Sequence, residues 1–359
     1  AAIPGTGGAI QADFNGYSAE GEERALGLFG NNIILQIPMI PGQDTHSLSA
    51  DPCFVSETDL RPLAPELDGS GVGIPEVPFD HDSILRAESP DIGAYEFTAS
   101  PPESGFSGAL SDAWEEAGNW DHGVPGGNTH ATIPDGKHAT INTPAQCQHL
   151  TIEPGGALTV VNGADIQISG HLELVSNGNC HGSLLSVPGG VNVSGNTSVR
   201  LRFTGTSESW HLLSSPVGGQ LVEGDFTPAG SYPDGTGYDF YLWQESTMTW
   251  MNRKAPTWMA ANGGNEFAPG RGYLVAYQEV NPEKIFTGTL HGGTYLIPLT
   301  ASGSGPYRHE NLTGNPYPSG IDWKATAGLD KSDLMISSCG GHDYYIFNHI
   351  AGNYGVYND

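Results

Sequence analysis

His149-Leu150-Thr151-Ile152, Ala157-Leu158-Thr159-Val160, Asp165-Ile166-Gln167-Ile168 and His171-Leu172-Glu173-Leu174 follow one another with little between them. In each run apolar and polar residues alternate, the period of a strand with one buried face. Pro154-Gly155-Gly156 and Asn162-Gly163 stand between the runs, and such residues favour tight turns. Ala131-Thr132-Ile133-Pro134 precedes them and Val191-Asn192-Val193 follows in the same style. Alternating runs spaced roughly eight residues apart suit a small β-solenoid or a sandwich. The solenoid is the preferred reading.

Composition agrees with an all-β chain. Gly 51 and Pro 26 in 359 residues lie below the level of a disordered chain and serve many short turns. The one helical candidate, Glu20–Leu28, is bracketed by glycines. Forty acids against 13 bases give a formal charge of −27, a surface that repels phosphate backbones and argues against nucleic acid as a partner. No apolar run reaches the roughly 20 residues of a membrane-spanning helix. Cys53, Cys147, Cys180 and Cys339 show no CxxC spacing, so neither a zinc site nor a redox motif is expected. Cys147 and Cys180 share one segment and either pair in an oxidising exterior or remain buried thiols.

Residues 1–99 carry a second kind of signal. Asp51-Pro52-Cys53-Phe54-Val55-Ser56, Asp59-Leu60-Arg61-Pro62-Leu63, Asp80-His81-Asp82-Ser83-Ile84-Leu85-Arg86 and Pro90-Asp91-Ile92-Gly93-Ala94-Tyr95-Glu96-Phe97 occur in that order. The series resembles the C-terminal coils of right-handed parallel β-helix proteins of the pectin-lyase-like type. Asp82-Ser83 stands where that family has Asp-Gly. The resemblance implies the end and cap of a solenoid whose further coils lie upstream of Ala1, because each coil buries its face on its neighbours.

Ser100-Pro101-Pro102-Glu103-Ser104-Gly105 reads as a linker. Trp114…Asn119-Trp120…Gly123-Val124-Pro125 then resembles the opening of a β-rich module of exported Bacteroidota proteins, taken as 100–199. Beyond Arg200 the strands turn aromatic: Trp210-His211-Leu212-Leu213, Tyr238-Asp239-Phe240-Tyr241-Leu242-Trp243, Arg271-Gly272-Tyr273-Leu274-Val275 and Asn311-Leu312-Thr313-Gly314-Asn315-Pro316-Tyr317-Pro318. This stretch, 200–359, resembles a β-sandwich module of type IX secretion cargo, which implies export to the cell surface and a secretion signal further on.

Candidate sites follow from residue chemistry. Asp80, Asp82, Asp91 and Glu96 crowd the turns of the first segment and are candidate calcium ligands, since calcium takes six to eight oxygens; the alternative is capping of turns and pairing with Arg61 and Arg86. Acid pairs such as Glu115/Glu116 or Asp80/Asp82 could be imagined as an acid–base couple, but each is local in sequence with nothing else to mark a cleft, and no catalytic residue is assigned. The histidines 122, 130, 138, 149, 171 and 181 share no single spacing, which favours solvated rings over a metal-binding ladder. Trp250 and Trp258 lie in loop-like surroundings and are the candidate carbohydrate contacts. No cofactor is required on this reading. The expected function is a non-catalytic stalk, spacer or adhesin region of a large secreted surface protein, with glycans or other surface proteins as partners. The rival expectations are the non-catalytic end of a polysaccharide-degrading β-helix enzyme and a carbohydrate-binding module.

Overall fold

The computed structural model describes residues 16–17, 27–29, 32–34, 46–49, 52, 54, 59–64, 66–98, 103–227, 239–302, 305, 307, 309–325, 328–348, 351 and 353–359. Contacts divide the chain into two compact units, residues 1–103 with 128–130, and residues 104–127 with 131–359. Among the described residues the fold is all-β apart from one five-residue helix and a single 3-10 turn.

In the first unit, β1 (Gly16–Tyr17) pairs in parallel with β4 (Leu48–Ser49), the pairing a stacked coil requires. β2 (Gly27–Phe29) pairs antiparallel with β3 (Asn32–Ile34). The helix expected at Glu20–Leu28 lies outside the described residues except for Gly27 and Leu28, which are in a strand. Cys53 also lies outside them. Residues 59–64 and 66–98 run as turns around a small core of Ala64, Leu67 and Ile92, with Leu48 and Phe97 packed on it.

The second unit contains a β-solenoid of about three turns. After β5 (Glu103–Gly105) and β6 (His130–Ile133), the first turn is β7 (His138–Ile141), β8 (Ala145–Cys147) and β9 (His149–Ile152). The second is β10 (Ala157–Val160), β11 (Ile166–Ile168) and β12 (Leu172–Leu174); the third is β13 (Ser183–Ser186), β14 (Val191–Val193) and β15 (Thr197–Arg202). Corresponding strands pair in parallel, so three sheets form the three walls.

Register makes the alternation into columns. Ala139, Leu158 and Leu184 stack on one wall, Cys147, Ile168 and Val193 on the next, and Ile152, Leu174 and Val199 on the third. Such stacking buries what no single turn could bury alone. Where turns approach closely there is no room for a side chain: a Cβ on Gly195 would lie 2.3 Å from the Gly170 carbonyl oxygen.

One end of the solenoid is closed by the Trp114…Asn119-Trp120 motif. Trp120 packs edge-on against Trp114 and Phe106 at 4.6 and 5.1 Å, and its Nε1–H donates to the Trp114 carbonyl at 2.8 Å. The buried Asn119 amide accepts from the backbone N–H of Leu110 and Ser111 and donates to the Ala113 carbonyl.

At the other end β15 pairs antiparallel with β21 (Glu283–Thr287). Before it come β16 (Trp210–Leu213), β17 (Val217–Gly218), β18 (Asp239–Gln244), β19 (Thr249–Asn252), α1 (Trp258–Asn262) and β20 (Tyr273–Ala276). Strands β16, β20, β18 and β19 form an antiparallel sheet in that order, and β17 pairs with β22 (Thr289–Leu290). The sheet's inner face, with Phe226, Trp258, Phe267 and Phe286, makes an aromatic core. A hairpin of β23 (Asp343–Asn348) and β24 (Asn353–Asn358) follows.

The cysteine pairing considered above is not present: Cys147 and Cys180 are both free. Cys147 is an inward column residue, and burial pushes its thiol up to about 12. Cys180 is exposed in the turn whose amides bond the Asn177 side chain.

The columns predict the effect of a cavity. Leu172 is fully buried, and Leu172→Ala should cost about 2–5 kcal/mol. Urea denaturation of the full chain followed by circular dichroism checks this; a loss below about 1 kcal/mol would mean the column does not hold the solenoid together.

Candidate functional site

The acid cluster of the first unit is turned on its own backbone. Asp80 accepts the amides of Asp82 (2.9 Å), Ile84 (2.7 Å) and Glu96 (2.8 Å). Desolvation alone would raise its pKa, but these amide donors outweigh it and hold the carboxyl below the ordinary range. Asp91 accepts Gly69 N–H at 2.6 Å and Phe97 N–H at 2.5 Å; here desolvation prevails and its pKa is raised. Glu96 receives Arg86 at 2.8 Å and the amides of Asp91 and Ala87, while Asp82 faces His81. Among the described residues no group of three or more His, Cys, Asp or Glu converges as metal ligands do. Of the candidate calcium ligands, Asp80, Asp91 and Glu96 are thus engaged by backbone amides, Glu96 also by Arg86, and Asp82 lies beside the His81 ring.

The acid pair Glu115/Glu116 is likewise structural. Glu115 accepts the amides of Asn142 and Thr143, each at 2.7 Å, and Glu116 caps the 3-10 turn through Gly118 N–H. The histidines are a partial correction. His149 and His171 occupy equivalent places on successive turns and stack at 5.0 Å with 26° between planes, and His171 N–H donates to His149 Nδ1 at 2.9 Å. Turn length varies along the solenoid, so a fixed spacing could not reveal the pair.

The tryptophans separate. Trp258 opens α1 with its side chain 0 % exposed; it contacts Phe240 and Tyr273, and the Arg253 guanidinium lies 4.6 Å over its ring. Its expected role as an exposed aromatic is corrected, because the short helix folds the loop-like segment inward. Trp250 lies on β19 and is 40 % exposed. It is not alone. Phe240 and Leu242 of β18 face the core, so by alternation Tyr241 and Trp243 face outward.

Trp243 is the cross-strand partner of Trp250, with centroids 5.2 Å apart. Trp210 lies 5.9 Å from Tyr241, and Tyr307 lies 6.5 Å from Trp243. Trp210 and Tyr307 are 37 % and 55 % exposed. Hydrogen bonds fix the rings: Trp243 Nε1–H donates to the Glu310 carbonyl at 2.7 Å and Tyr241 O–H to Asp239 at 2.8 Å. Five aromatic residues thus line the outer face of one sheet, three of them more than one third exposed. Pairing of Trp243 with Trp250 across an antiparallel ladder could be read only after β18 and β19 were both located.

The segment carrying Tyr307 is anchored by a buried carboxylate. Glu245 Oε1 accepts Ser302 N–H and Oγ–H, each at 2.7 Å, and His309 N–H at 2.8 Å. The Ser302 amide leads the effects that outweigh desolvation and hold this carboxyl at about 2.

A model of one family, described as a domain of unknown function (DUF8693), matches residues 105–337, well over half of the chain. The chain belongs to this family. The DUF8693 match runs through the solenoid, the β15–β21 junction and the aromatic sheet. No curated protein and no solved structure shows significant similarity to the chain.

Two predictions follow the placement of these side chains in the DUF8693 chain. Trp258→Ala should cost about 3–5 kcal/mol, whereas Trp250→Ala should change stability by roughly 0.5 kcal/mol; equal losses in chemical denaturation would contradict the assignment of inner and outer faces. Because the Glu245 pKa is depressed, its contribution is present above the ordinary value of 4.5 and is lost as pH falls toward about 2. The protection factors of the Ser302 and His309 amides, corrected for the intrinsic exchange rate, should therefore fall across that window, and should already be low at pH 6 in Glu245→Ala.

Proposed function

We propose that this chain is a non-catalytic structural or adhesive region of a large secreted protein displayed on a Gram-negative bacterial cell, with the outer aromatic face of the β16–β20–β18–β19 sheet as its contact surface. The observation that carries the reading is that face. Trp210, Trp250 and Tyr307 are more than one third exposed, although a ring of that size gains most by burial. Exposed Trp and Tyr rings mark contact sites, where they supply much of the binding energy, and their neighbours Trp243 and Tyr241 are held in place by hydrogen bonds at their polar tips.

Supporting observations concern address and rigidity. The charge of −27 suits an exterior where salt screens self-repulsion. The sequence resemblances to exported Bacteroidota modules and type IX cargo point the same way. The strand β15 belongs to the solenoid wall and also to the antiparallel junction with β21, so a pull on one part is passed to the other through backbone hydrogen bonds. That suits a spacer which holds a contact face in place.

Two measurements test the reading. Protease shaving of intact cells of the source organism should release peptides of this chain. Adhesion of beads coated with the full chain should fall roughly 5–30-fold for the Trp250→Ala, Tyr307→Ala double variant, the effect of losing one to two kcal/mol of contact. A chain confined inside the cell would overturn this proposal, and release of reducing ends from polysaccharide by the full-length parent protein would replace it with the enzymatic rival.

A further inference from the structure

A second surface feature lies in the second unit, between the last solenoid turn and the strands that follow β15. It is a groove of about 770 Å³, within the roughly 300–1,000 Å³ of small-ligand sites. Its floor is the uncovered end of the core columns, Val191 and Val193, with Leu290 beside them. Among the described residues β14 is the outer strand of its wall and pairs with β11 alone. The Gly190 carbonyl and Ser194 N–H bond back to β11 at 2.9 and 2.8 Å. By alternation the backbone groups of Val191 and Val193 face the other way, along the free edge.

The walls carry neutral hydrogen-bonding groups. Thr197 and Ser198 stand on β15, Thr287 and Thr289 flank Gly288, and Asn196 and His171 complete the rim. The His171 ring is held against His149 by stacking. Glu173 is the one carboxylate of the lining, and it is ion-paired with Arg200, which also reaches Glu283 at 3.1 Å.

From this arrangement we infer that the groove is a binding site for a neutral oligosaccharide, distinct from the aromatic face and extending the adhesive reading on which it rests. Hydroxyl, amide and imidazole groups match a ligand that both donates and accepts hydrogen bonds, and the valine floor suits the C–H faces of sugar rings. Anionic polymers meet the repulsion of a chain of charge −27. A cation finds the lining carboxylate already paired. An extended peptide could add to the β14 edge, but that edge is three residues long and offers the backbone groups of two.

The test is titration calorimetry of the full chain with hexamers of β-glucan, xylan, mannan and chitin. At least one should bind. Thr289→Trp, which fills the groove, should weaken it at least about tenfold, with an unchanged melting temperature, while Trp250→Ala keeps it. If Thr289→Trp lowers the melting temperature, the Thr197→Val, Thr287→Val pair, which removes hydroxyls without adding bulk, should show the same loss. Failure of every hexamer to bind overturns the inference and leaves the adhesive proposal to the bead assay. Binding abolished by Trp250→Ala but untouched by Thr289→Trp also overturns it, and assigns the sugar to the aromatic face. Uptake of an unstructured peptide that protects the Val191 and Val193 amides from exchange, with no sugar binding, overturns it in favour of strand addition.

Discussion

The antiparallel pairing of Thr197–Arg202 with Glu283–Thr287 is the constraint around which the second unit is arranged. A solenoid that simply stopped at its third turn would expose a row of unpaired N–H and C=O groups beside an open apolar column, an invitation to aggregation. β21 covers one wall, and the Pro318 carbonyl receives Leu184 N–H from another at 2.9 Å. The pairing also ties together two cores. Val199 and Leu290 pack against both the solenoid core and the aromatic core, and Phe286 of β21 is fully buried in the latter. Among the described residues the third wall, ending in β14, has no such cover, and the groove lies there.

Charge is handled by the same economy of local partners. With 40 acids and 13 bases most carboxylates cannot find a cation, so the structured ones take backbone amides instead. Asp80, Asp91, Glu115 and Glu245 each accept two or more N–H groups. Amide donors stabilise the charged form, and each such carboxylate fixes a turn that has no regular ladder of its own. Asp80, Asp91 and Glu96, read from sequence as candidate metal ligands, belong to the hydrogen-bonding frame of the irregular segments.

Much of the solenoid was legible because its signal is local. Alternation in His149–Ile152, Ala157–Val160 and Leu172–Leu174 sets the inward face of each strand whatever lies next to it. The Trp114…Asn119-Trp120 motif was legible as a module opening, and its physical role as an aromatic plug held by one asparagine came only with the packed end. Trp258 was misread because a five-residue helix is too short to show a period; the Gly263-Gly264 pair that ends it, with Gly263 at φ 85°, was the one local sign. The His149–His171 stack was hidden by turns of unequal length.

The sequence by itself determined an all-β chain and the buried face of the alternating solenoid strands, because hydrophobic period needs no knowledge of distant residues. Tertiary structure alone decided which carboxylates and which tryptophans were available to a partner. The amide that claims Asp80 comes from a residue 16 positions away and the one that claims Glu245 from 57 positions away, and Trp243 and Trp250 become neighbours only across a ladder. Such partners are chosen by how the strands stack, which no local pattern of residues records.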